Sequence, residues 1–276
     1  MNSLPVLSYP ILCGSIASHP SKVGQAIHNA MYKHLGLEFV YVAFGIADSG
    51  AAAAAIRTLG IRGVGVTMPH KVTIMPFLDR IDPIALEIGA VNTVVNDDGI
   101  LTGHNVDWLG AMRALEEKDV VISGKRAFVV GAGGAARAVA FGLKRLGARV
   151  SIFNRTPEKA RALASSLGVN FGGDLATLSS EYEILVHTTS AGYVSQPGIC
   201  IIPESILEPG KVVMDVVAEP MPSPLQLLAE ACGCITIPGH RMRLHQAAAQ
   251  FEMYTGQTPP LELMGRVLLE AMGLKV

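Results

Sequence analysis

Apolar positions follow two different periods along this chain. Residues 6–13, 38–44 and 64–68 are short apolar stretches that read as strands. Between them, residues 24–35 carry apolar side chains at helical spacing. Residues 48–59 read as a second helix, opened by Asp48 or Ser49 as N-cap and continued by Ala51 to Ala55. The segment after His70 is helical. Residues 90–96 and 99–102 form a hairpin that turns at Asp97-Asp98-Gly99. A helix over 108–117 bridges to a second unit, with a buried strand at 127–130, a glycine turn, a helix at 135–146 and a strand at 149–153. Further strands are expected at 184–187 and 212–217, and helices at 242–254 and 260–272.

The glycine turn changes this from a pattern into a site. Gly131-Ala132-Gly133-Gly134-Ala135-Ala136 follows an apolar strand and opens a helix. Gly131 permits the tight turn, Gly133 lets backbone approach a pyrophosphate, and Ala136 allows close packing of helix on strand. The amides of Gly134 and Ala135 stand at the positive end of the helix. The next strand runs into Asn154-Arg155-Thr156, with Lys159 just beyond. A carboxylate there would suit a free ribose; Arg155 instead suits a 2′-phosphate, with Thr156 adding a hydroxyl. NADP is the expected cofactor. The fold class is therefore α/β, with a parallel-sheet substrate domain over 1–107 and 239–276 and a Rossmann dinucleotide domain over 108–238. The C-terminal helices return to the first domain.

Composition narrows the partners. Of 276 residues, half are hydrophobic and 16% charged, enough to bury a sizeable core. A net charge of -1 without a basic run gives no reason to expect nucleic acid. No stretch is apolar enough to span a bilayer, and Met1 to Pro5 lacks a basic leader, so a cytoplasmic protein is expected; a monomer and a homodimer both remain open. Cys13, Cys200, Cys232 and Cys234 read as buried free thiols. His70, His104, His240 and His245 lack ligand spacing and read as loop or surface residues, and no metal is expected.

Two clusters carry candidate chemistry: Thr67-Met68-Pro69-His70-Lys71, and Asn105-Val106-Asp107. Moving hydride to or from a secondary alcohol requires a group that exchanges the hydroxyl proton. A lysine beside a carboxylate does this when burial disfavours its charge. Lys71 and Asp107 are the candidates.

These segments, with Ile88 to Thr93, the glycine turn, Asn154 to Thr156, Thr189-Ser190-Ala191-Gly192 and Gln246, occur in the order and spacing of shikimate dehydrogenases. The chain resembles that family over nearly its whole length. The resemblance implies that Lys71 and Asp107 are catalytic and that Thr67, Asn92 and Gln246 contact ring hydroxyls, with Asn105 nearby. It also implies that Thr189, Val216 and Gly239 line the nicotinamide side. The implied reaction is NADPH-dependent reduction of a ring ketone such as 3-dehydroshikimate, or of a related cyclic polyol. Two positions depart from the pattern. Where the family holds its substrate carboxylate with a Ser-x-Ser pair, this chain has Lys22-Val23-Gly24-Gln25; Ser15, Ser18, Ser21 or Lys22 would have to serve. Ala218 stands where many members have Tyr, and Val216 replaces a bulkier residue. The departures resemble a divergent branch of the family with poor shikimate turnover, and leave quinate, another polyol or a regulatory NADP-binding role open. Arg243 sits on a helix start, where it could reach an acidic substrate, though a solvent-facing position is the stronger expectation.

Overall fold

The structure is a computed structural model and describes residues 9–274. The first half comprises β1 (Ile11–Ala17), α1 (Lys22–His34), β2 (Phe39–Gly45), α2 (Ser49–Thr58), β3 (Gly63–Val66), α3 (His70–Thr73), β4 (Arg80–Ile81), α4 (Pro83–Ile88), β5 (Thr93–Asp97) and β6 (Ile100–His104). The second half follows α5 (Asp107–Glu116). It contains β7 (Arg126–Val130), α6 (Gly134–Arg145), β8 (Arg149–Phe153), α7 (Pro157–Leu167), β9 (Asn170–Gly173), β10 (Ile184–His187), β11 (Val212–Asp215), α8 (Pro224–Ala231) and β12 (Ile235–Pro238). Two helices close the chain, α9 (Gly239–Thr255) and α10 (Leu261–Ala271).

The strands form two six-stranded sheets. The second has the order β12-β11-β10-β7-β8-β9 and is parallel throughout. Its order reverses between β7 and β10, which is the switch point where open α/β sheets bind ligands. The first has the order β2-β1-β3-β5-β6-β4. Here the sheet is mixed rather than purely parallel. The expected hairpin inserts β5 antiparallel to both β3 and β6. The expected strand over 6–13 falls partly outside the described residues; the observed β1 starts at Ile11.

Capping explains several boundaries. Asp48 accepts the Ala51 amide at 2.7 Å and opens α2. Ser21 accepts the Val23 amide at 3.2 Å, so α1 begins at Lys22, two residues before the apolar stripe. Three helices absent from the pattern reading share one signature, a capping residue followed by Pro: Asp82-Pro83, Thr156-Pro157 and Ser223-Pro224.

The first half and the C-terminal helices share a core. Ile27 and Met31 of α1 pack with Leu244 and Phe251 of α9 and with Leu268 of α10. The α5 helix joins the halves. Ala111 and Leu115 enter the same buried cluster as Val139 and Leu143 of α6, and Trp108 meets Phe141 edge-on at 5.7 Å. Gly110 permits the contact on the other side: a Cβ there would lie 2.7 Å from the Met242 carbonyl oxygen of α9. Among the described residues no helix is long and apolar enough to cross a membrane.

Candidate active site

The Lys71 and Asp107 side chains meet although 36 residues separate them. Lys71 lies in α3 and Asp107 opens α5, with Lys71 Nζ 2.5 Å from Asp107 Oδ2. The carboxylate is almost fully buried, while the lysine keeps 19% exposure and reaches a cavity. Asp107 is fixed on its other side, where Asn92 Nδ2 donates to Oδ1 at 2.8 Å. Asn92 Oδ1 in turn accepts from Thr93 Oγ1 and the Val106 amide, both at 2.8 Å. Asn105 donates to the Ala90 carbonyl and accepts the Asp107 amide, so its amide group serves the backbone of the site.

Lys71, Thr67, Ser15 and Gln246 line a cavity of about 200 Å³ between β1, β3, the start of α1 and α9. That is room for one substituted ring. A larger open groove of about 390 Å³, beside Arg113, Glu117 and Glu252, contains none of these residues and lacks the paired Lys and Asp. Of the two, only the smaller is lined by Lys71.

Lys22 does not join it. As the first residue of α1 it is exposed, and it is absent from the cavity wall. Ser21 reaches the wall, as do Val23 and Gly24. Of the two positions open to Arg243, the structure shows the inward one: it lines the cavity, and its Nη1 donates to Glu219 Oε1 at 2.8 Å. Neither His70 nor His245 is a surface residue. His70 is buried, with Nε2 donating to the Ile46 carbonyl and Nδ1 bonded to Ser49 Oγ, both at 2.9 Å, which anchors α3. His245 is 5% exposed and faces Glu117. Among the described cysteines Cys13 is buried, while Cys200, Cys232 and Cys234 are partly exposed.

Gln250, Tyr41 and His28 also line the cavity and have no counterpart in the sequence reading. Gln250 is buried one turn beyond Gln246, and its Nε2 donates to the Asn92 carbonyl and to Thr93 Oγ1. The i, i+4 spacing of two glutamines on an apolar helix is the signal that points to it. His28 stacks on Tyr41 at 4.3 Å, and its Nδ1 has no partner among the described residues. Burial pushes its pKa down from 6.5 to about 3, so the ring is neutral.

The glycine turn adjoins Lys71. A Cβ on Gly134 would lie 3.3 Å from Lys71 Cδ. Gly131 has φ +129, and a Cβ there would strike Thr188 Oγ1, whereas one on Gly133 would meet nothing within 4 Å. Gly133 thus faces open space where a phosphate can approach, and the amides of Gly134 and Ala135 open α6 beside Ala132. Arg155 and Lys159 are exposed past β8, and Asn154 Nδ2 braces the turn through the Thr156 carbonyl at 3.0 Å. These residues fit a dinucleotide carrying a 2′-phosphate. On the other side of the switch point, Gly239 packs against the Val216 and Val217 carbonyls, where a Cβ would come within 2.6 Å. Thr189 is held by a buried chain: its Oγ1 meets His187 Nε2 at 2.6 Å, and His187 Nδ1 donates to Asp215 Oδ1 at 2.8 Å. Ser223 Oγ donates to the other Asp215 oxygen.

A parallel sheet with a phosphate-ready turn beside a ring-sized cavity carrying a Lys–Asp pair defines a dinucleotide-dependent oxidoreductase architecture. Known proteins agree with it. Family models match residues 16–94 (shikimate dehydrogenase substrate binding domain), 113–195 (shikimate / quinate 5-dehydrogenase) and 239–269 (shikimate 5'-dehydrogenase C-terminal domain). The shikimate dehydrogenase (NADP(+)) of Moorella thermoacetica is 42% identical over 275 residues, covering 94% of this chain and 93% of its own. The crystal structure of shikimate 5-dehydrogenase from Thermus thermophilus in complex with NADP(H) and shikimate is 31% identical with TM-score 0.86, covering 95% and 99% of the two chains. Quinate dehydrogenase from Corynebacterium glutamicum in complex with NAD is 30% identical with TM-score 0.86, covering 95% and 100%. The chain belongs to the shikimate dehydrogenase family.

Proposed function

We propose that this protein is an NADP-dependent oxidoreductase that reversibly reduces the ring ketone of 3-dehydroshikimate to the alcohol. The observation that carries the reading is the 2.5 Å contact of Lys71 with the buried Asp107 carboxylate, on the wall of a ring-sized cavity adjoining the glycine turn. When bound, the nicotinamide supplies or accepts the hydride. Lys71 gives a proton to the developing alkoxide or takes it from the alcohol, with Asp107 holding the amine in place. Thr67 and Gln246 face the cavity and orient the ring hydroxyls. Gly131 to Ala135 bind the pyrophosphate, and Asn154, Arg155, Thr156 and Lys159 bind the adenosine 2′-phosphate. Thr189, Val216 and Gly239 bound the nicotinamide side.

In this reading residues 1–107 and 239–276 form the substrate and catalytic unit, and 108–238 the NADP unit, in a cytoplasmic protein. Quinate is a second candidate substrate. Val23 and Gly24 put no hydroxyl pair on the wall, which carries Ser15 and Ser21 instead, a different set of hydroxyls for the ring substituents to meet. A regulatory protein without turnover would not need the intact Lys71–Asp107 contact.

The test is turnover of shikimate and quinate with NADP and NAD, for the unsubstituted protein and Lys71→Ala. The substitution is expected to lower kcat by at least about a hundredfold while NADP binding persists. Unchanged turnover in Lys71→Ala would remove Lys71 from the mechanism.

A further inference from the structure

The ring-sized cavity has an uneven distribution of charge. Among the described residues its wall carries two cationic side chains, Lys71 and Arg243, and no Asp or Glu. The carboxylates that balance them stand outside the wall, Asp107 beside Lys71 and Glu219 beside Arg243. Arg243, Gln246, Ala247 and Gln250 all line this cavity, at spacings of three, four and seven residues that form one stripe of α9. Arg243 therefore shares the face of the helix that orients the ring.

The two cations are not equivalent. Lys71 is committed to Asp107 and to the reacting oxygen. Arg243 uses Nη1 for Glu219, while its Nε and Nη2 have no protein acceptor among the described residues. A guanidinium is a planar fork, and its unused N–H groups match the two oxygens of a carboxylate. Glu219 holds the guanidinium through Nη1 and is not itself part of the cavity wall. The side chain is also only 28% exposed, so a ligand anion meets a partly desolvated charge rather than a fully hydrated one.

We propose that Arg243 is the specificity-determining residue of the cavity. It binds the carboxylate of a hydroxylated ring acid through the guanidinium N–H groups that Glu219 leaves free, and so selects such acids over their uncharged counterparts. This rests on the reading that the cavity holds the reacting ring, and it assigns the group that meets the ring's carboxylate. Selection is by charge and fork geometry, so an ester of the same ring loses the interaction while keeping its hydroxyl contacts to Thr67 and Gln246.

The test compares shikimate with its methyl ester, measuring binding by titration calorimetry and turnover with NADP separately. Four proteins are used: the unsubstituted chain, Arg243→Leu, Arg243→Lys, and Arg243→Leu combined with Glu219→Gln, which avoids a bare carboxylate at the cavity. The unsubstituted protein is expected to prefer the acid. Arg243→Leu should raise both Kd and KM for shikimate roughly 10- to 100-fold and leave the ester almost unchanged, and Arg243→Lys should recover part of the preference. Should Arg243→Leu fail to fold, the lysine variant carries the same comparison. An unsubstituted protein that binds ester and acid equally, or an acid-to-ester ratio that survives in the double variant, overturns the assignment. Oxidation of both compounds with equal kcat/KM keeps the dehydrogenase reading and sinks the role of Arg243. Arg243-dependent binding of the acid without oxidation does the reverse.

Discussion

Asn92 offers the sharpest test of how the Asp107 carboxylate is held. Its side chain makes three hydrogen bonds of 2.8 Å: one to the Asp107 carboxylate and one each from Thr93 Oγ1 and the Val106 amide. The residue is fully buried, so no water replaces these partners when Asn92→Ala removes them. A hydrogen bond to a charged acceptor contributes about 1.5–3 kcal/mol and a neutral one about 0.5–1.5, which places the loss at about 2.5–6 kcal/mol. With a urea m-value near 3 kcal/mol/M for a chain of this size, the unfolding midpoint should fall by about 1–2 M. Activity should fall as well. Without its Asn92 donor, Asp107 is free to rotate away from Lys71, and a misplacement on the order of 1 Å costs about a hundredfold in kcat. The KM for NADP should stay constant, because the glycine turn makes no contact with Asn92. The measurements are urea unfolding followed by circular dichroism and steady-state kinetics with both substrates varied. A variant with an unchanged midpoint and kcat within about twofold of the original would refute the idea that this network holds Asp107.

Arg155→Ala should raise the KM for NADP about 10- to 100-fold and leave NAD almost untouched, since only the 2′-phosphate loses a charged partner; equal changes for both cofactors would place Arg155 outside the nucleotide site. His28 predicts a pH dependence. Its folded pKa of about 3 lies below the ordinary 6.5, so the unfolded chain binds a proton that the folded one rejects. Stability is therefore intact above pH 6.5 and falls as the pH drops toward 3. At pH 5 the loss from this residue is about 2 kcal/mol. In His28→Phe the difference in unfolding free energy between pH 7 and pH 5 should shrink by that amount, and an identical pH dependence in both proteins would rule out His28 as its source.

Much of the site was legible because its parts are local. Gly131 to Ala136 is a strand–turn–helix junction whose residue types are dictated by backbone geometry, and φ +129 at Gly131 is the conformation the sequence implied. The Asp48 cap and the Asp97-Asp98-Gly99 turn were readable for the same reason. The three helices opened by Asp82-Pro83, Thr156-Pro157 and Ser223-Pro224 are equally local, with Pro in the first turn of each and a side-chain cap from Asp82 and Ser223. β4, β9 and β12 were different. They are two to four residues long and lie at sheet edges, so pairing rather than an apolar pattern of their own makes them strands.

The sequence by itself determined most of the longer strands and helices, the glycine turn and the two motifs that carry Lys71 and Asp107, since each depends on neighbours within a few residues. Only the tertiary structure decided that Lys71 Nζ and Asp107 Oδ2 meet at 2.5 Å, that Lys22 faces away and that Arg243 faces the cavity. These outcomes depend on where α1, α5 and α9 pack. A charged side chain at a helix start has the same local pattern whether it faces solvent or a cavity wall. Arg243 is tied to Glu219, a carboxylate 24 residues away along the chain, and no local pattern records that contact.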